Sequence, residues 1–233
     1  MVIYSRILKK FLACVICAMM FGTVPALALD VNELKTLAEN GHSEAQFLLG
    51  TVYEFGHFNV TKDNAEALKW YIKSAENGFA EAQFYLAVMY DEGKGVNQDK
   101  AEAFRLYSKA ANQGYARAQY NLAVMYDEGE GIKQDNPEAV KWYIKAAENG
   151  HPKAQYNLGM MYYKGEGVTR NYSEAVKWWL KAAENKHSQA QYNIGVMYYR
   201  GWGVERNKSE AHNWWQKAAE NGHAQAKTAL KTW

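Results

Sequence analysis

The chain of 233 residues has only two cysteines, three prolines and a formal net charge of +2. Each scarcity excludes something. Cys14 and Cys17 both lie in the first 28 residues, so everything downstream is free of thiols. Their C-x-x-C spacing would suggest redox or metal chemistry in a cytosolic domain, but here it is apolar filler in a leader segment. The remainder has to be held by packing, because it has no disulfide to form. Few prolines together with 17 tyrosines and 8 tryptophans exclude a disordered chain, in which aromatics are scarce. The weak charge is also uneven. Arg6, Lys9 and Lys10 belong to the first 28 residues, which hold no acid, and the body without them has a net charge of −1. A near-neutral body offers no concentrated basic face, so nucleic acid is not an expected partner. No H-E-x-x-H, S-x-x-K, G-x-S-x-G or phosphate-cradling loop occurs.

No apolar run reaches the roughly 20 residues of a spanning helix. The apolar stretch Phe11 to Val24 follows the three basic residues and precedes Ala26-Leu27-Ala28, a small-x-small cleavage signal. The segment 1–28 reads as a secretory signal peptide, with Leu29 as the first mature residue. The expected location is periplasmic or secreted, with no stable membrane insertion after cleavage.

What the body has is periodicity. Ala-Gln recurs at Ala45-Gln46, Ala82-Gln83, Ala118-Gln119, Ala154-Gln155 and Ala190-Gln191, in steps of 37, 36, 36 and 36 residues. Glu-Asn-Gly closes units at Gly78, Gly150 and Gly222; Gln113-Gly114 and Asn185-Lys186 stand in the other two slots. This divides the chain into a half-unit over 29–41, five units over 42–78, 79–114, 115–150, 151–186 and 187–222, and a half-unit over 223–233.

Each unit reads as helix, tight turn, helix. Ala118, Leu122, Met125 and Tyr126 share one face of a first helix, A, that stops at Gly129. The second helix, B, opens on a capping-box pair in every unit: Asp63/Glu66, Asp99/Glu102, Asp135/Glu138, Asn171/Glu174 and Asn207/Glu210. The cap oxygen should accept from backbone N–H groups, and the glutamate should return to the N–H of the cap residue. Trp70, Trp142, Trp178 and Trp214 are expected to fill the space between helices. Small residues such as Ala45, Gly50 and Ala67 allow close approach. The fold class is therefore all-α, an α/α superhelix (solenoid) of helix-turn-helix repeats.

The pattern stands in full at Ala154, Leu158, Gly159, Tyr162, Gly165, Gly167, Val168, Ala175, Trp178, Lys181, Ala182 and Ala183. It resembles the Sel1-like repeat, an α/α solenoid related in architecture to tetratricopeptide repeats, over residues 30–233. Three places depart from it: the longer turn Gly56-His57-Phe58-Asn59, Leu106 in a tryptophan slot, and Lys186 in a glycine slot. The resemblance implies an adaptor that holds another protein, often in a bacterial envelope. Some members are virulence factors, some resemble periplasmic immunity proteins, and one cysteine-rich branch is β-lactamase-like. The absence of cysteine and of a nucleophile motif counts against the last. The chain is expected to be no enzyme and to need no cofactor or metal.

His42, His151, His187 and His223 recur one unit apart, too far to share a metal at normal ligand distances. The candidate binding residues lie on a stripe beside the buried face of helix A: Tyr85, Asn121, Asn157 and Asn193, followed a turn or two later by Tyr163-Lys164 and Tyr199-Arg200. Amides there both donate to and accept from a partner backbone. The other reading is a solvated polar face. Units two and three end helix A with Asp91-Glu92 and Asp127-Glu128, so the stripe changes from acidic to basic. That polarity suits a partner of opposite polarity.

Overall fold

The computed structural model describes residues 31–231. The expected signal peptide 1–28 with both cysteines, and Trp233 at the end of the last half-unit, lie outside them. Twelve α-helices and no strand are present among the described residues, so the expected all-α class of helical hairpins is what the chain adopts. The helices fall into two compact units that divide after Gln113. The first holds α1 (Val31–Glu39), α2 (Ser43–Phe55), α3 (Asn64–Glu76), α4 (Ala80–Glu92) and α5 (Lys100–Asn112). The second holds α6 (Ala116–Glu128), α7 (Asn136–Glu148), α8 (Pro152–Lys164), α9 (Tyr172–Glu184), α10 (Ser188–Arg200), α11 (Lys208–Glu220) and α12 (Ala224–Lys231). The pairs α2/α3, α4/α5, α6/α7, α8/α9 and α10/α11 are hairpins one to five. No helix among the described residues is long and apolar enough to cross a membrane.

The hairpin turn is built from backbone bonds. Helix α6 ends where Gly129 takes φ +73° and donates its N–H to Met125 O at 2.9 Å. The chain then returns so that Asp135 N donates to Tyr126 O at 2.8 Å. Asp63, Asp99, Asn171 and Asn207 make the same bond to Tyr53, Tyr90, Tyr162 and Tyr198. This corrects half of the expected capping box. The cap side chains do accept from the backbone N–H of Glu66, Glu102, Glu138, Glu174 and Glu210. The glutamates do not return to the cap N–H, because helix A has already taken that donor. Glu66, Glu138 and Glu174 pair with Lys69, Lys141 and Lys177 one turn on, and Glu102 pairs with Arg105. These pairs are exposed and add little. The first hairpin keeps the closing bond although Phe58 and Asn59 occupy left-handed conformations without being glycine.

The recurring Ala-Gln string has a physical cause. Gln46, Gln83, Gln119, Gln155 and Gln191 are all buried. Gln46 Nε2 donates to Ala38 O and Gln83 Nε2 to Ala75 O, each at 3.0 Å. In the second unit Gln155 and Gln191 donate to Ala147 O and Ala183 O. These four glutamines thus hold the end of the preceding helix. On the other side the amide oxygen accepts from the residue that ends the glutamine's own hairpin. Asn77 donates to Gln46, Gln113 to Gln83, Asn149 to Gln119 and Asn221 to Gln191. A buried amide bonded on both sides contributes, whereas one left unmatched costs about 1–3 kcal/mol.

Hairpin four breaks the ladder. Gln155 Oε1 is buried with no partner, and Asn185 turns its amide to Lys181 O. The next residue is Lys186, held at φ +58° where the other units have glycine. A side chain in the left-handed region costs about 1–2 kcal/mol, and glycine recovers most of that after its larger chain entropy is subtracted. Lys186→Gly should therefore raise the unfolding free energy by about 1 kcal/mol, read as a higher urea midpoint at unchanged slope.

Trp70, Trp142 and Trp178 are buried as expected, whereas Trp214, packed against the core of hairpins four and five, is only half-buried. Each carries the lysine three residues on over its ring, at 3.7–4.4 Å from the centroid, which accounts for the W-x-x-K string.

Candidate functional site

In the first unit, Tyr85 is half-buried among aromatic rings. Its centroid lies 5.3 Å from Phe47 and 6.4 Å from Tyr71. The Tyr71 hydroxyl donates to Glu54 Oε2 at 2.6 Å, and burial pushes that phenol far above its ordinary range. Asp91 in the equivalent place pairs with Lys100 at 2.5 Å.

The second unit holds the other candidates. In hairpin three the Tyr143 hydroxyl donates to Asp127 Oδ2 at 3.1 Å and accepts from Asn157 Nδ2 at 3.0 Å. Burial raises the Tyr143 phenol strongly and also lifts the Asp127 carboxyl above its usual range. Part of the candidate stripe is thus tied into the array itself. Asn121, on the same face one hairpin earlier, is half-buried.

Hairpins four and five are built differently at the same positions. Tyr163 and Tyr199 stand in place of the aspartates, and Trp179 and Trp215 in place of the tyrosines. The ring pairs Tyr163–Trp179 and Tyr199–Trp215 each lie 5.7 Å apart. The indoles donate to Tyr156 O at 3.1 Å and Tyr192 O at 3.2 Å. Each indole occupies the place of a Cβ: one added at Gly159 would lie 2.5 Å from Trp179 Cδ1, and one at Gly195 2.5 Å from Trp215 Cδ1. Hairpins two and three carry Ala87 and Ala123 there, facing tyrosine.

An apolar pocket of about 280 Å³ lies between hairpins four and five, and its lining includes Met160, Tyr163, Trp179, Asn193, Val196 and Met197. Two candidate residues, Tyr163 and Asn193, therefore meet in one cavity. Asn193 Nδ2 faces Met160 Sδ at 3.6 Å, a weak acceptor. Lys164 lies one turn beyond Met160 and Arg200 one turn beyond Val196; both are exposed. Lys164 pairs with Glu166 at 3.3 Å. Arg200 packs 5.9 Å from the ring centroids of Tyr199 and Trp202 and forms no ion pair among the described residues. Trp202, itself 37% exposed, stacks on Tyr172 at 5.5 Å. Helical spacing pointed to Tyr163 and Asn193 but not to Trp179 or Met197. The available signal was the Trp178-Trp179 doublet beside Gly159, repeated as Trp214-Trp215 beside Gly195, where hairpin three pairs Trp142-Tyr143 with Ala123.

Three of the four recurring histidines are side-chain caps; His42 makes no cap bond with its side chain. The Nδ1 atoms of His151, His187 and His223 accept from the N–H of Ala154, Ala190 and Ala226 at 3.2–3.3 Å. Each ring stacks on a tyrosine of the preceding hairpin, at 4.5 Å from Tyr120, 4.6 Å from Tyr156 and 4.5 Å from Tyr192. An accepting Nδ1 must be unprotonated, and burial holds all three below the ordinary 6.5. The unfolded chain then binds protons more readily than the folded one. Stability is complete above pH 6.5 and falls as the pH drops from there toward the folded-state values. Asp127, held above its ordinary 3.8 by burial, acts in the opposite sense. The urea midpoint should fall between about pH 7 and about pH 5, the range in which histidine charges. The combined variant His151→Asn, His187→Asn and His223→Asn keeps cap oxygens without a proton to gain, and its profile should be flatter. Among the described residues, no three histidine, cysteine or acidic side chains group closely enough to hold a metal.

Comparison with known proteins gives a consistent result. A family model described as the Sel1 repeat matches residues 43–79, 80–115, 116–151, 152–187 and 188–223. A protective antigen present in uropathogenic Escherichia coli strains, displaying an SLR fold, is 42% identical with a TM-score of 0.82. The alignment covers 86% of this chain and 43% of the antigen, so the chain spans less than half of that protein's length. A Sel1 repeat protein from Oxalobacter formigenes is 33% identical with a TM-score of 0.79, covering 85% of this chain and 82% of that one. An immunity protein from Pseudomonas aeruginosa shares the fold at 18% identity and a TM-score of 0.53, covering 95% and 82% of the two chains. No curated protein matches the sequence.

Proposed function

Because the chain belongs to the Sel1 repeat family, whose repeats typically mediate protein interactions, we propose that it is an exported scaffold that captures another protein on the A-helix face of residues 114–231. The observation that carries this reading is the departure of hairpins four and five from the pattern of hairpins two and three. A repeat needs only an alanine, a tyrosine and an aspartate at these three positions to pack. The last two hairpins carry glycine, tryptophan and tyrosine instead, and an open apolar pocket with two exposed bases beside it lies between them. Exposed apolar concavities edged by charge mark interaction sites. The candidate residues Tyr163, Lys164, Asn193, Tyr199 and Arg200 belong to this region. Asn157 is tied to Tyr143 of hairpin three, and Asn121 and Tyr85 belong to hairpins three and two.

Export rests on the leader segment of residues 1–28. Protein recovered from a periplasmic or culture-medium fraction should begin at Leu29; recovery only from the cytoplasm, starting at Met1, would remove this part of the reading. Capture is tested with envelope extract and the purified chain as bait, the bound proteins being identified by mass spectrometry. The charge-reversed bait Lys164→Glu/Arg200→Glu should lose the bound protein while its circular dichroism melt is unchanged. An identical bound set with both baits would exclude this face. The scaffold is read as non-catalytic, since three of its four slot histidines are committed as caps and stacks. Nitrocefin should turn over no faster with the protein than in buffer.

A further inference from the structure

The geometry points to a specific class of partner for this face: an extended peptide segment carrying a bulky apolar side chain next to an acidic residue. The inference rests on the capture reading above and narrows it. Size argues first. A pocket of about 280 Å³ lies just below the roughly 300 Å³ at which small-molecule sites begin. That volume has room for one large side chain. The walls are thioethers, a branched aliphatic chain and aromatic rings, contributed by Met160, Met197, Val196, Tyr163 and Trp179. Methionine walls adapt to the shape that enters them, which suits a leucine, methionine or phenylalanine equally.

Charge argues next. Val196 and Arg200 lie four residues apart on α10, as Met160 and Lys164 do on α8, so a basic head stands one turn past each apolar wall. Arg200 is held over the rings of Tyr199 and Trp202 with its charge unmatched by any carboxylate among the described residues. A ring-stacked guanidinium keeps its fork available for bidentate contact with a carboxylate. A partner whose apolar residue enters the pocket therefore meets a positive head within a residue or two along its chain. A basic neighbour there would be repelled. The third element is Asn193. Its amide oxygen accepts from Gln189 Nε2 at 3.3 Å and its Nδ2 faces a thioether at 3.6 Å; a peptide carbonyl is a better acceptor than the thioether for that N–H. Wall, base and amide together describe one apolar side chain, one carboxylate and one backbone carbonyl.

The test is selection of a phage-displayed random dodecapeptide library on the purified full-length protein. Enriched sequences should place Leu, Met, Phe or Trp beside Asp or Glu. Synthetic copies with Asp and Glu changed to Lys should bind at least about tenfold more weakly. Val196→Trp, which fills the pocket, should abolish binding, and Arg200→Glu should reverse the preference toward Lys-flanked peptides while the melt stays unchanged. Absence of enrichment, enrichment indifferent to charge, or binding that survives both variants would overturn the inference. Failure here with partner capture intact removes only the peptide class. Loss of capture as well removes the scaffold reading.

Discussion

Gly159→Ala should destabilise the protein by about 3 kcal/mol, at the upper end of what overpacking one methyl typically costs. Intrinsic preference runs the other way, since alanine is better than glycine inside a helix by about 1 kcal/mol. Overlap decides the sign. The new Cβ would lie 2.5 Å from Trp179 Cδ1, and the indole can make room only by giving up its hydrogen bond. It is 1% exposed and held by its bond to Tyr156 O. The remedy is present elsewhere in the chain. Hairpin three packs Ala123, Tyr143 and Asp127 in the same three places, with the Tyr143 hydroxyl on the Asp127 carboxylate. Adding Trp179→Tyr and Tyr163→Asp to Gly159→Ala should therefore bring stability back to within about 1 kcal/mol of the parent, a strong coupling between neighbours. Urea denaturation of the single, double and triple variants measures it. Additive losses would show that the three positions are independent.

A peptide of residues 151–186 should be unfolded. Its two 13-residue helices are at the length where isolated helices are marginal in water. What holds them lies in the hairpins on either side. Gln155 needs Ala147 O before it, and Tyr156 needs the ring of His187 after it. The turn at Gly167 packs against the backbone at Pro137, so closely that an added Cβ would lie 2.8 Å from its nitrogen. Far-ultraviolet circular dichroism of the peptide should show coil without a cooperative melt. Most of the fold energy in repeat arrays resides in such interfaces, and a folded single hairpin would contradict that distribution here.

The repeat, the helix pairs and the cap residues were legible because they obey local rules. Glycine past the last turn and aspartate or asparagine before the first are short-range signals that tertiary packing rarely overrides. The glutamates of the capping boxes were only half legible. Their spacing is right, but the bond they would make is taken by a tyrosine carbonyl across the turn, which no local pattern reveals. The Ala-Gln string served as a marker of register, while its cause, a buried amide joining two successive B helices, spans eight residues backward and 30 or 31 forward. The histidine caps were seen as repetition without their tyrosine partners for the same reason.

The candidate stripe was legible as a face and not as a site. Helical spacing puts Asn121, Asn157 and Asn193 in line. It cannot tell that Asn157 is bonded to Tyr143, or that Asn193 stands in the wall of a cavity. Two residues of the cavity wall, Tyr163 and Trp179, belong to a three-way exchange with Gly159. Two of these are four residues apart and the third is 16 further on, so the coupling appears only when the helices are paired.

The most direct measurement of the central claim uses the triple variant Gly159→Ala/Tyr163→Asp/Trp179→Tyr as bait. It rebuilds hairpin four in the image of hairpin three, keeps Lys164 and Arg200, and takes the Tyr163 ring and the Trp179 indole from the pocket wall. A bait that melts like the parent but recovers less than about a tenth of the bound protein from envelope extract, equivalent to about 1.4 kcal/mol of lost affinity, is the predicted result. Undiminished recovery by the folded variant would contradict the assignment of the pocket and place capture elsewhere on the molecule.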